Sequence, residues 1–167
     1  MRKLLTVILA LTLTALAARG QKVCEWSNGL AYQPSFHRGQ PGIGWVAKRY
    51  FNDRHALDLG VFYYFNKTGS ELNGMYEWTL PVPFTQGLTF YGGPGAHLGF
   101  HSEFGGDYGK KYLTYGVMAV AGLEYKIPTI PLMVALDWRP RYTFATGSGV
   151  DSLGLGCICL SVKFCIF

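Results

Sequence analysis

The sequence has few charges: Asp, Glu, Lys and Arg make up 15% of its 167 residues. Beyond residue 20 it has no run of 18 apolar residues, which excludes a membrane-spanning helix from that part of the chain. It has no basic run, so nothing points to nucleic acid as a partner. Internal repeats, linkers and low-complexity tracts are absent as well, which leaves one domain. Histidines number only 4 and cysteines 4, and none falls in a spacing that marks a metal site. Cys157 and Cys159 could present thiols to a soft metal, but no histidine lies near them in sequence. No cofactor or metal is expected.

What is present is apolar and small. The chain is 49% hydrophobic and 16% aromatic, and it carries 22 glycines. Arg2 and Lys3 precede an apolar stretch from Leu4 to Ala18, and Ala18-Arg19-Gly20 supplies small residues at the positions a signal peptidase reads. The expectation is a signal peptide over residues 1–20, cleaved before Gln21, followed by one domain over residues 21–167. Removing Arg2, Lys3 and Arg19 lowers the basic count from 15 to 12 against 10 acidic residues, so little net charge remains. Export brings the cysteines into an oxidising compartment. Cys157 and Cys159 sit two apart on one strand, awkward for a mutual bond. Cys24 could pair with a C-terminal cysteine, which the sequence leaves undetermined; otherwise Cys157, Cys159 and Cys165 serve as small lumen fillers.

Several segments alternate with the period-two pattern of strands. Leu57, Leu59, Val61, Tyr63 and Phe65 share one face, and Leu72, Gly74, Tyr76, Trp78 and Leu80 another. Similar alternation runs from Leu88 to Phe100, from Leu113 to Tyr125, from Ile130 to Arg141 and from Ile158 to Ile166. Strands near residues 29–36 and 42–51 bring the total to eight. Short turns at Asn52-Asp53-Arg54, Pro81-Val82-Pro83 and Ile127-Pro128-Thr129 form one set. Longer polar loops form the other, at residues 38–40, 66–70, 103–111 and 145–152. The fold class expected is all-β: an eight-stranded antiparallel up-and-down transmembrane β-barrel.

A lipocalin-like soluble barrel also alternates, with its apolar face inward. The second face decides the matter. It carries Gly60, Gly93, Gly95, Gly99, Gly116, Gly122 and Gly156, where a soluble surface would carry Lys, Glu and Thr. Small residues with a few charges suit a narrow lumen. Aromatics gather near strand ends, at Trp45, Tyr50, Phe51, Tyr63, Phe65, Trp78, Phe84, Tyr112, Tyr125 and Trp138, as in interfacial girdles.

The segments Arg54-His55-Ala56-Leu57, Leu72-Asn73-Gly74-Met75-Tyr76-Glu77-Trp78, Phe90-Tyr91-Gly92-Gly93-Pro94-Gly95-Ala96-His97 and Leu136-Asp137-Trp138-Arg139-Pro140 resemble the small Gram-negative outer-membrane barrels, the OmpA/OmpX-like or porin-like proteins. The resemblance spans roughly residues 42–167. It implies an outer-membrane location with periplasmic termini, lipid as the surrounding partner, and a C-terminal strand read by the barrel-insertion machinery. The ending departs from the usual pattern by one residue, so either Ile166 takes the outward terminal position or a bulge gives it to Phe167. The family implies no agreed activity.

The inward charges expected are Lys48, Asp58, Glu77, Glu124, Asp137, Arg139 and Arg141. A turn centred on Asp53 sets Lys48 directly across from Asp58. An eight-stranded interior is just wide enough for side chains to fill, so a polar plug is expected rather than a solute path. The catalytic candidates are His97, His101, Ser102 and Glu103. His101 and Ser102 are adjacent and point to opposite faces of a strand, while His97 and His101 share a face about 13 Å apart. The His and Ser two apart that lipid A deacylases carry are absent, so no enzyme is expected. The functional expectation is a structural or surface-interaction barrel, its loops open to an extracellular ligand. A small-solute pore and a lipid A-modifying enzyme are the alternatives.

Overall fold

A computed structural model describes residues 24–34, 41–65, 69–102, 111–144 and 153–166. The expected signal peptide and most of the longer loop set, at residues 38–40, 66–68, 103–110 and 145–152, lie outside them. Ten β-segments are described: β1 (Trp26–Gln33), β2 (Gly42–Asn52), β3 (His55–Tyr64), β4 (Gly69–Pro81), β5 (Leu88–Ser102), β6 (Lys111–Lys126), β7 (Leu132–Trp138), β8 (Arg141–Thr143), β9 (Leu153–Gly154) and β10 (Ile158–Ile166).

Every pairing is antiparallel. Neighbours in sequence pair from β1 to β6, β7 pairs with β6 and β10, and β1 pairs with β10. The sheet therefore closes on itself. β8 continues the line of β7 along β6, and β9 lies beside β8 as β10 lies beside β7. Ten segments thus make eight barrel strands. Closure leaves no edge, so each ladder is satisfied within the wall.

The wall breaks between β7 and β8 and, alongside, between β9 and β10, and the two breaks have a shared cause. The alternation from Ile130 to Arg141 predicts one unbroken strand, but Ile130 stays in the turn and the ladder breaks at Arg139-Pro140. Proline has no N–H to give the ladder. Across the break the backbone keeps two bonds, from the Arg139 amide to the Cys157 carbonyl (2.8 Å) and from the Ala119 amide to the Pro140 carbonyl (2.9 Å). The Leu155 carbonyl takes the indole N–H of Trp138 at 2.6 Å, on the outer face. A carbonyl facing hydrocarbon without a donor is costly. Trp138→Phe keeps an aromatic ring but removes that donor. It is expected to cost about 1–3 kcal/mol in urea unfolding from lipid vesicles. An unchanged midpoint would show that the indole bond adds nothing.

The turns at one end are tight. Arg54 donates its amide to Asn52 Oδ1 at 2.9 Å, and the β2–β3 register shifts between Tyr50 and Asn52. Gly87, between β4 and β5, adopts φ 88°, which a side chain would strain.

Polarity is inverted relative to a soluble protein. Leu30 is 63% exposed and Leu136 52%, whereas Lys48 is 0% and Lys163 1% exposed. Strand after strand, the burial pattern alternates with the apolar residues outside. Exposed aromatics cluster toward both ends: Trp26, Phe51, Trp78 and Phe84 near the turns, Tyr32, Tyr63, Phe65, Phe100 and Phe144 near the loops. Tyr50 corrects the expected girdle. It sits beside the bulge and turns inward, its hydroxyl donating to Glu124. Tyr112 is a girdle candidate whose side chain lies outside the described set.

β10 runs to Ile166 with no register shift against β1 or β7, so Ile166, exposed on the outer face, takes the terminal outward position. Cys165, one step back, faces inward and is bonded to Cys24, with Cα atoms 5.7 Å apart. This corrects the expectation that Cys165 is a simple filler. Cys157 and Cys159 are buried free thiols.

Candidate functional site

The lumen is the one region where the described charges gather. Period-two alternation aims each of them inward, because each has the parity opposite to the exposed apolar residues of its strand. At Gly122 the small residue is required by approach: a Cβ there would meet Asp137 Cβ at 2.5 Å and the Tyr91 ring at 2.7 Å. A larger residue would displace the contact between those two side chains.

Toward the turn end, Lys48 on β2 lies between Glu77 on β4 (2.7 Å) and Glu124 on β6 (2.9 Å). Tyr50 donates its hydroxyl to Glu124 Oε1 at 2.6 Å. The Lys48 ammonium also sits over the Tyr91 ring, 4.2 Å from its centroid. Asp58 takes a bond from Lys163 on β10 at 2.9 Å. Asp137 holds Arg139 through two bonds, at 2.5 and 3.1 Å, and accepts the Tyr91 hydroxyl at 2.7 Å. These side chains are all nearly or fully buried except Tyr50, which is half-buried. Several of these contacts join strands that are not neighbours in the wall, and Lys48–Glu124 spans the barrel from β2 to β6.

Toward the loop end a second group forms. Arg141 donates from Nη1 to both oxygens of Glu71, at 2.9 and 2.7 Å, and from Nε and Nη2 to Cys157 Sγ at 3.2 and 3.1 Å. The Tyr64 hydroxyl bonds Gln33 and Glu71, each at 3.2 Å.

All seven charges singled out from sequence lie in this lumen: Lys48, Asp58, Glu77, Glu124, Asp137, Arg139 and Arg141. One inferred contact is corrected. Lys48 and Asp58 are register partners as expected, but each forms its ion pair elsewhere. In a barrel, a long side chain reaches across the lumen as readily as to the adjacent strand. Sequence reasoning missed Lys163 and Glu71. Lys163 alternates with Val162 and Phe164 and was therefore legible as inward. Glu71 lies just before Leu72, where the alternation legible in the sequence begins, while β4 begins at Gly69.

His97 is buried, 3.3 Å from Thr143 Oγ1 through Nε2. His101 is half-buried, its ring 6.4 Å from that of Tyr64. The side chain of Ser102 and all of Glu103 fall outside the described residues. Among the described residues no group of three His, Cys, Asp or Glu could hold a metal ion.

A closed eight-stranded barrel, apolar outside and ion-paired within, is a structure for lipid. Comparison with solved structures finds the same fold. The N-terminal β-barrel domain of Pseudomonas aeruginosa OprF superposes with a TM-score of 0.70 at 16% identity, over 86% of this chain and 98% of that one. The fold is that of the small outer-membrane barrels. Ail, the attachment invasion locus protein of Yersinia pestis, aligns with a TM-score of 0.48 at 15% identity, over 83% of this barrel chain and 95% of its own. No protein-family model matches the sequence, and no curated protein does.

Proposed function

We propose that the protein is an integral outer-membrane barrel with a structural or surface-interaction role and a side-chain-filled lumen. The observation that carries this is the inverted polarity. Leucine, valine and aromatic side chains cover the outer wall, and the interior holds Lys48, Lys163, Arg139 and Arg141 against their carboxylates. Large buried side chains, Arg139, Tyr64, Lys48 and Phe62 among them, occupy the space a solute would need. In this reading the termini and short turns lie on the periplasmic side, the C-terminal strand engages the insertion machinery, and the longer loops meet an extracellular ligand.

The test is mobility on a denaturing gel of protein extracted from outer membranes, boiled against unboiled. A shift on boiling is expected, together with no stepwise conductance when the protein is inserted in a planar bilayer. Recovery in the soluble periplasmic fraction with no mobility shift would overturn the membrane location. Regular conductance steps would overturn the plug and leave the location standing.

A further inference from the structure

Arg49 is out of place on the outer wall. Among the described side chains of the strands, it is the one Asp, Glu, Lys or Arg that is exposed. Its immediate neighbour Lys48 faces inward, so the alternation of β2 forces Arg49 outward. No carboxylate among the described residues lies within ion-pair distance of it. Two aromatic rings bracket the guanidinium instead. Trp26, its register partner and the first residue of β1, lies 4.9 Å away, and Phe51, two residues on, 5.8 Å. The same stretch of wall carries Tyr76 donating to or accepting from His55 at 2.8 Å, with Trp78 packed edge-on against Tyr76.

A permanently charged guanidinium on a lipid-facing wall is costly unless it reaches an opposite charge at the headgroup level. Here it is held at the turn end, among aromatics of the kind that settle at that level. The rings stand beside the guanidinium without accepting its N–H donors as a carboxylate would, which leaves those donors for an oxyanion. A phosphate presents matched oxygens to such a fork.

We propose that Arg49, bracketed by Trp26 and Phe51, is a binding site for the phosphate of an anionic glycerophospholipid at the turn-end interface of the barrel. This rests on the membrane location proposed above. The site ties the first two strands, beside the seam where β1 meets β10, to the lipid leaflet.

The experiment reconstitutes the full mature chain in nanodiscs containing equal phosphatidylglycerol and phosphatidylcholine. Lipid retained after detergent extraction is counted by native mass spectrometry. Wild type is expected to retain phosphatidylglycerol over phosphatidylcholine, and Arg49→Gln to lose about fivefold of that retention. Arg49→Lys, which keeps the charge without the fork, should fall between them. Arg54→Gln, in the adjacent turn, should change nothing. Equal retention of both lipids by wild type would overturn the site, and so would equal loss in Arg54→Gln, which would mean diffuse surface charge. Displacement of the retained lipid by millimolar inorganic phosphate would assign the site to the free anion instead and likewise overturn it. Each sample is also run boiled and unboiled. Absence of a mobility shift in wild type removes the membrane reading and this site with it, whereas a shift without lipid preference removes the site alone.

Discussion

Lys48→Met is expected to lower the unfolding free energy by about 3–5 kcal/mol, among the largest losses a single substitution in this chain should cause. Methionine fits the volume of the lysine stem, so packing is nearly conserved. The charge is not. Lys48 is fully buried and bridges Glu77 and Glu124. Without it two carboxylates remain close together in a closed lumen, and Tyr50 bonds only one of them. The cost therefore arises from stranded charge rather than from a lost attraction, since an intact buried pair adds little net stability. That distinction can be measured. Adding Glu77→Gln and Glu124→Gln to Lys48→Met should recover more than half of the loss, because the three changes share one network. Urea unfolding from lipid vesicles, followed by tryptophan fluorescence, reads both steps. A single variant as stable as wild type would mean that water reaches Lys48. A triple variant no better than the single would mean that the lysine stem, not its charge, matters.

Loss of the Cys24–Cys165 bond should have the second largest effect, roughly 2–5 kcal/mol for the Cys24→Ser, Cys165→Ser double variant. The bond joins residues 141 apart in sequence, so it closes the stretch from Cys24 to Cys165 into one covalent ring. Cross-links of long loops remove the most freedom from the unfolded chain. The bond also sits next to the β1–β10 seam, against Met133 and with Tyr50 packed on it. No turn joins β1 to β10, so the bond is the covalent link there that other neighbouring strands have through their turns. Boiled protein should run faster without reductant than with it, and two thiols, Cys157 and Cys159, should titrate in the denatured, non-reduced chain. Identical mobility and four titratable thiols would show that the bond does not form.

How far the sequence reaches can be judged from particular residues. Leu57 to Phe65 and Leu72 to Leu80 displayed their outer faces by alternation alone, since a strand has only two sides and a wrong parity would place leucines against aspartate. The register Lys48 to Asp58 followed from the turn at Asp53, because a tight turn fixes pairing by counting. Residue type misleads where parity does not: Tyr50 shares the parity of Val46 and Lys48 and so points into the lumen, although an aromatic near a strand end reads as girdle.

The sequence by itself determined the strands, the closed antiparallel architecture, the inverted polarity and the identity of most lumen charges. These depend on local rules: period two, turn chemistry and the chemical contrast between two faces. The tertiary structure alone decided who bonds whom. Lys48 passes over its neighbour Asp58 to reach Glu77 and Glu124, Asp58 takes Lys163 from 105 residues away, and Arg141 finds Glu71 across 70 residues. It also decided that Cys24 pairs with Cys165 and that Trp138 caps a gap opened by Pro140. Alternation says which way a side chain points. Only closing the sheet, with its tilt and stagger, says what stands opposite across the lumen.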